Sequence, residues 1–442
     1  MPSTFSLSSC DWIGFDLDHT LIRYRLFPLH TLIYESIRQY LVDFHQYNHS
    51  LLQIPYDDHF AVKALIYDSL YGNLIQLDSQ GLVHTALHGV HKRLSSKEIQ
   101  EIYPHALEEI EEDTTKRFLC IYTYFEHSTS YLIANLVDLV DHEKASDSEN
   151  KYSFFLKDIA DGFEYLFNDF NRGNYFAAIR ANPEKFIYQR SDVRQWLERL
   201  RENKKNLFLA TNSRFDYTNL LSSYAFGQDW QSLFDMIIVD CKKPSFFSQS
   251  PKRVFHRMIN ENTFVPMTND EIVENFRQNY IYTMGNSEDL QIIMNRISGK
   301  EATVIYFGDH IKSDIKALKS HTNWFAGVVV EELEFDVPPT VVHTKAHRLA
   351  AKNDLYMKGN RSKYFASFFT SPMESMDFSN EDSSETQTKP DAVLPALSSY
   401  WYTYITKHAH LSLSCLSVLA NEFDLSHEFQ SNDETKHFVL LH

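Results

Sequence analysis

The sequence predicts an α/β protein: a parallel sheet with helices on both faces, interrupted after its first strand by a large, mainly helical insertion. Three observations carry that prediction. Short apolar runs recur at Trp12–Phe15, Leu207–Ala210, Met236–Val239, Val304–Phe307 and Gly327–Val330, as expected of strands buried on both faces. Helical stretches separate the last four, as crossovers between parallel strands require. Residues from about 30 to 190 lie between the first and second runs, so the first strand is cut off from its partners in sequence.

The elements follow in order. Trp12–Phe15 reads as a short buried strand. Phe27–Tyr47 then places Leu29, Leu32, Ile33, Ile37, Tyr40 and Leu41 on one helical face. Asn73–Leu77 alternates, Asp78–Gly81 supplies turn residues and Leu82–His84 starts a return strand, which together predict a hairpin. Residues 106 to 200 are helical in pattern and rich in polar residues. Thr370–Val393 is dominated by Ser, Asp, Glu, Thr and Pro, a composition that reads as a disordered acidic linker. Beyond it, Tyr400–Tyr402 and Leu411–Leu419 read as a helix that docks back or meets a partner. The expected division is a core of residues 1–29 and 191–345, a cap of residues 30–190, and a C-terminal extension of residues 346–442.

Composition bounds the function. With 442 residues, 43% of them hydrophobic, the chain can bury a sizeable core in two or three domains. A net charge of −17 argues against a general nucleic-acid binder, which would present a basic field. Cys10, Cys120, Cys241 and Cys415 form no Cys-x-x-Cys pair, which points to reduced thiols in a reducing compartment. Met1–Cys10 has no basic-then-apolar signal pattern, and no apolar run approaches the roughly 20 residues that span a bilayer. The expectation is a soluble, cytoplasmic protein.

The chemistry stands at the strand ends, where open α/β sheets bind ligands. Trp12–Phe15 runs into Asp16-Leu17-Asp18-His19-Thr20. Asp16 is placed to attack phosphorus and form an aspartyl-phosphate. Asp18 is placed to protonate the leaving oxygen and then to activate water. Leu207–Ala210 runs into Thr211-Asn212-Ser213, hydroxyls and amides that can cradle a phosphate. Met236–Val239 runs into Asp240-Cys241-Lys242-Lys243-Pro244, where Lys243 can neutralise a phosphoryl oxygen. Val304–Phe307 runs into Gly308-Asp309 and, five residues on, Asp314. Asp16, Asp309 and the backbone carbonyl of Asp18 offer the hard oxygen ligands that Mg²⁺ prefers, with Asp314 behind them. Each piece alone has an ordinary explanation: a surface turn, a helix cap, a solvated lysine pair. Four in order, each after an apolar run, point to a phosphatase. His19 and His310 read as loop contacts, because imidazole is softer than Mg²⁺ prefers.

These motifs resemble those of the haloacid dehalogenase superfamily of phosphohydrolases. Thr211–Ser213 with Tyr217-Thr218, Val239-Asp240 with Lys243-Pro244 and Phe246-Phe247, and Gly308–Ile311 with Asp314 are similar to the cytosolic purine 5′-nucleotidase family. So are Tyr56-Asp57, Tyr67-Asp68 and Leu70–Asn73 in the insertion. The resemblance spans about residues 10 to 345 and is nearest to the 5′-nucleotidase domain-containing branch. It implies a Rossmann-like core with the cap inserted between the first and second motifs. It further implies Mg²⁺-dependent hydrolysis of nucleoside 5′-monophosphates, phosphotransfer to a second nucleoside in some members, and assembly into a homo-oligomer. Small phosphomonoesters are then the partners, with no nucleic acid polymer and no membrane span.

The cap departs from that pattern. Phe125 matches a base-stacking Phe of the family. The positions that supply an Arg and an Asp to base and sugar are here Ala160 and Glu164. Phe125 reads equally well as a core aromatic of the cap. Two alternatives stay open at this stage: an interaction module that kept the fold and lost turnover, and a phosphatase for another small ester.

Overall fold

The computed structural model describes residues 4–142, 151–168, 170, 173–260, 263–276, 278, 280–334, 362–366, 368–369, 399–430 and 438–439. The segment Thr370–Val393, read above as an acidic linker, lies outside them. Two compact units emerge: Met1–Arg25 with Phe176–Glu334 and Ile405–His442, and Leu26–Tyr175 with Phe335–Tyr404.

The first unit holds a ten-stranded sheet. Across the sheet run Thr263–Pro266, Phe255–Asn260, Ile281–Met284, Met236–Val239, Asn206–Ala210, Trp12–Phe15, Val304–Gly308, Phe325–Val329, Leu411–Leu413 and Phe438–Val439. From Ile281–Met284 onward all pairings are parallel; the first two strands form an antiparallel hairpin on the edge. The strands after Trp12–Phe15 step away to one side, and the chain then returns to pair Val304–Gly308 on its other side. That reversal creates a switch point beside the carboxyl end of the first strand, the place where open α/β sheets bind ligands.

Strand alternation decides what covers each face. Phe15 points to the helix Ser191–Glu202 and meets Trp196 edge-on, with ring centroids 5.9 Å apart. That helix buries Val193, Trp196, Leu197 and Leu200, a stripe at helical spacing. Trp12 points the other way, and its indole N–H donates to Ser298 Oγ at 3.2 Å, at the end of the helix Ser287–Ser298. On the same face Gly14 leaves room for the Phe208 ring; a Cβ there would lie 2.0 Å from it. Helices on both faces explain why the strands read as continuous apolar runs.

One expectation for the tail is overturned. Leu411–Leu419 is not a continuous helix. Leu411–Leu413 is a strand paired with Phe325–Val329, and only Ser417–Glu422 is helical. The alternation Leu411-Ser412-Leu413-Ser414 is a strand pattern, and the strands on either side, Phe325–Val329 and Phe438–Val439, reward it with backbone hydrogen bonds. The hairpin Phe255–Asn260 with Thr263–Pro266 went unpredicted as well, because it is largely solvent-facing and its apolar residues Ile259, Phe264 and Val265 are exposed; the short buried strand Ile281–Met284 was missed too.

The second unit pairs a five-stranded antiparallel sheet with helices. Its strand order is Lys92–Arg93, Val83–His88, Asn73–Leu77, Ile66–Asp68, Phe118–Cys120. The predicted helix runs Leu26–His45, and the predicted hairpin closes at Asp78–Gly81. Two of the family-like residues, Asp68 and Asn73, join one hydrogen-bond network. Asp68 is fully buried and accepts two hydrogen bonds from Arg117 at 2.8 Å and one from the Tyr103 hydroxyl at 2.9 Å. Asn73 reaches the same hydroxyl at 2.9 Å. The helix Tyr400–His408 starts in this unit, where Trp401 Nε1 donates to the Ala64 carbonyl at 3.0 Å.

Candidate functional site

The sheet of the first unit brings the predicted strand ends together. Asp16 follows its strand directly, and its N–H donates to the Phe307 carbonyl at 2.8 Å, which fixes it beside the Gly308-Asp309 turn. Lys243 Nζ lies 2.8 Å from Asp16 Oδ1 and 2.8 Å from Asp314 Oδ1. Asp16, Asp309 and Asp314 are all buried, with one oxygen of each within 4.8 Å of the others. Three carboxylates against one ammonium leave an excess of negative charge. With only hard oxygen donors facing one point, the set fits a divalent cation such as Mg²⁺.

Burial pushes the Asp16 carboxyl up to about 6, against the downward pull of Lys243 and helped by the negative charge of Asp314. Burial alone would depress the Lys243 ammonium, but Asp16 and Asp314 overrule it and hold it well above the usual lysine value. Lys243 also donates to the Tyr306 hydroxyl at 3.0 Å, and that hydroxyl donates to the Ala210 carbonyl at 2.8 Å.

Asp18 is half-buried and separately wired. Its Oδ2 accepts from Ser213 Oγ at 2.6 Å and its Oδ1 from the Tyr24 hydroxyl at 2.5 Å. The Tyr24 and Tyr217 hydroxyls are 2.9 Å apart. Burial raises the Asp18 carboxyl above the ordinary carboxylate value, and the two hydrogen bonds only partly oppose it. A raised carboxyl suits proton transfer.

The Thr211–Ser213 turn differs in detail from the simple cradle. Thr211 is buried and its Oγ1 accepts from the Ser213 N–H at 3.0 Å. The Asn212 side chain braces the lysine loop. Its Oδ1 accepts from the Lys243 N–H at 2.6 Å, and its Nδ2 donates to the Lys243 carbonyl at 3.0 Å. That loop needs bracing because Asp240 and Lys242 both hold left-handed backbone, at φ 49° and 60°. Lys242 pairs with Asp240 at 2.6 Å and is half-exposed to water, so only one lysine of the pair enters the site. Sequence reasoning missed Tyr24 and Tyr306 and named Tyr217 only as part of a family-like motif; the Tyr306 contacts join residues 63 and 96 positions apart, which no local pattern encodes.

Asp314 sits on a π-helical turn, Ile311–Lys316, that runs into the helix Ala317–His321. Its Oδ2 accepts from the His310 N–H at 3.2 Å, and His310 Nδ1 accepts from the Ser313 N–H at 3.3 Å, a loop contact as expected for this histidine. Gly308 makes the arrangement possible, since a Cβ there would lie 2.6 Å from Asp314 Oδ2. Gly308→Ala is expected to push Asp314 off Lys243, destabilising the protein by about 1–3 kcal/mol and lowering turnover. Urea denaturation and steady-state kinetics on the same variant check both.

The two cap residues lie in the second unit. Phe125 is half-buried and meets Phe167 edge-on, with centroids 5.8 Å apart. Glu164 is exposed on the helix Phe154–Phe167, four residues from Ala160, which is exposed as well.

A buried carboxylate–lysine set at the switch point of a parallel sheet, with the hydrogen-bonded Asp18 carboxyl in the same loop as Asp16, is the arrangement of a phosphomonoester hydrolase of α/β type. Comparison with known proteins agrees. A model of the 5′ nucleotidase family matches residues 1–400. The human 5′-nucleotidase domain-containing protein 1 is 33% identical over 350 residues, covering 76% of this chain and 75% of the human protein. The protein of the same name from Bos taurus is 34% identical over 352 residues, with the same shares. The chain belongs to the 5′-nucleotidase family.

Proposed function

We propose that this chain hydrolyses nucleoside 5′-monophosphates in a Mg²⁺-dependent reaction through an aspartyl-phosphate on Asp16. The observation that carries the reading is the buried cluster of Asp16, Asp309 and Asp314, two of which, Asp16 and Asp314, hold the Lys243 ammonium. Asp16 Oδ1 already receives the Leu17 N–H and Lys243 Nζ, both at 2.8 Å. Its other oxygen is left to attack phosphorus, forming an O–P bond as the ester oxygen departs. Asp18 gives that oxygen its proton, then takes one from the water that attacks phosphorus and frees Asp16. Lys243, Thr211 and the backbone amides around Asn212 and Ser213 stabilise charge on the equatorial oxygens. Asp16, Asp309 and the Asp18 carbonyl would hold Mg²⁺, with Asp314 behind; when bound, it neutralises the phosphate and the carboxylates. A nucleoside hydroxyl in place of water would give phosphotransfer.

A cytoplasmic location is supported by the four cysteines, all free thiols. Among the described residues no helix is long and apolar enough to cross a membrane. Homo-oligomer assembly rests on the family resemblance.

A panel of nucleotides and one aryl phosphate tests the reading. The wild-type protein is expected to hydrolyse the aryl phosphate, lose that activity in EDTA and regain it with Mg²⁺. Ala160 and Glu164 lead us to expect no preference for purine monophosphates. Strong selectivity for IMP and GMP would overturn that part, and metal-independent turnover would overturn the Mg²⁺ assignment.

A further inference from the structure

The loop that carries Asp16 and Asp18 is closed on itself. The N–H groups of Thr20 and Ile22 both donate to the Leu17 carbonyl, at 3.3 and 2.8 Å. Inside it His19 holds φ 53°, a conformation that a non-glycine residue keeps only when its surroundings enforce it. Two outside groups do so. His19 Nδ1 lies 3.5 Å from Glu331 Oε1, both buried. Arg190, also buried, donates to the Leu21 carbonyl at 3.3 Å. Just past the loop, Arg23 pairs with Glu334.

Both outside groups are tied to the C-terminal segment. The second guanidinium arm of Arg190 donates to Ser417 Oγ at 3.2 Å, and Ser417 in turn bonds Asp192. The turn Glu331–Glu334 follows Val330, whose N–H donates to the carbonyl of Leu413 at 2.7 Å. The returning chain is locked to the outgoing one as well: Tyr188 N–H donates to the Arg23 carbonyl at 3.0 Å, and Arg25 N–H to the Phe186 carbonyl at 2.7 Å. A planar fork that joins a loop carbonyl to a distant hydroxyl fixes position as well as charge.

We propose that Arg190 and Glu331 are positioning residues for the loop Leu17–Ile22, and that through them the C-terminal strand Leu411–Leu413 and Ser417 hold Asp16 and Asp18 in their working orientation. The role in turnover rests on the phosphatase reading; the tethering of the loop does not. The tail is then part of the catalytic core, and changes near Ser417 are transmitted to the nucleophile.

The test uses the full chain and two readouts. Arg190→Leu and Glu331→Leu are expected to speed amide hydrogen exchange in the peptide covering residues 12–25 by at least tenfold. They are also expected to lower kcat on an aryl phosphate by about 10- to 100-fold with KM within about threefold, the range for groups that orient catalytic residues. Glu331→Gln, which keeps a side chain of the same size with an oxygen facing His19 Nδ1, is expected to restore both to within about threefold of wild type. Ser417→Ala, which cuts only the tail contact, should fall between. Unchanged exchange in the leucine variants would overturn the proposal. So would a kcat loss as large in Glu331→Gln as in Glu331→Leu. A wild-type protein that leaves aryl phosphate intact would overturn the phosphatase reading alone, while exchange still decides the tethering.

Discussion

Asp16→Asn is expected to abolish turnover while leaving the fold in place. One oxygen of Asp16, Oδ1, makes both of its recorded polar contacts: it accepts the Leu17 N–H and the Lys243 ammonium, each at 2.8 Å. An asparagine keeps that oxygen, and Lys243 keeps Asp314 at 2.8 Å as its counter-charge. What is lost is the second carboxylate oxygen and the negative charge, both of which the proposed attack on phosphorus requires. Turnover should fall by about a thousandfold or more, since the covalent step has no substitute group. The loss should appear in kcat, and unfolding midpoints should move by less than the equivalent of about 1 kcal/mol. The control also separates this protein's activity from a contaminating phosphatase. A variant that retains more than about a tenth of wild-type kcat would rule out the covalent route through Asp16.

How much of this was legible in the sequence depends on where each contact comes from. Apolar runs buried on both faces are a local signal, so the strands around Trp12–Phe15 and the residues at their carboxyl ends were readable. The order Asp-x-Asp, Thr, Lys, Gly-Asp then located the site, because the parallel topology carries all those ends to one edge of the sheet. Strand Leu411–Leu413 was not readable. Three alternating residues at the far end of the chain gain their meaning from pairing with Phe325–Val329 and Phe438–Val439. The roles inside the motifs shifted for the same reason. Beside the phosphate-binding expectation for Thr211–Ser213, the Asn212 side chain braces the Lys243 backbone and the Ser213 hydroxyl bonds Asp18, contacts between distant residues that no local pattern encodes. Tyr306 alternates within an apolar run and looks like core until its hydroxyl is seen between Lys243 and Ala210.

Lys243→Met should cost stability as well as activity, and in a way that depends on pH with an unusual sign. Methionine fills similar volume but leaves Asp16 and Asp314 facing each other in a buried site with no cation between them. Removing one partner of a buried ionic set typically destabilises by about 3–5 kcal/mol. The protein can escape part of that loss by taking up a proton. Asp16 already stands at about 6 because burial outweighs the pull of Lys243; without Lys243 it should stand higher still. A carboxyl raised in the folded state relative to its unfolded value of 3.8 binds a proton on folding, so its contribution favours low pH and is lost as pH rises through the folded value. The metal-free variant should therefore be more stable near pH 5 than near pH 8, opposite to ordinary acid denaturation. Urea melts in EDTA across that range test this. A variant no less stable than wild type at pH 8, or one whose deficit does not shrink toward pH 5, would show that Lys243 does not hold the carboxylates together. Turnover should fall with it by at least a hundredfold, because the cation that screens Asp16 from phosphate is gone. Lys243→Arg should not rescue it, since a planar fork cannot occupy a pocket in which one ammonium meets Asp16, Asp314 and Tyr306 within 3.0 Å.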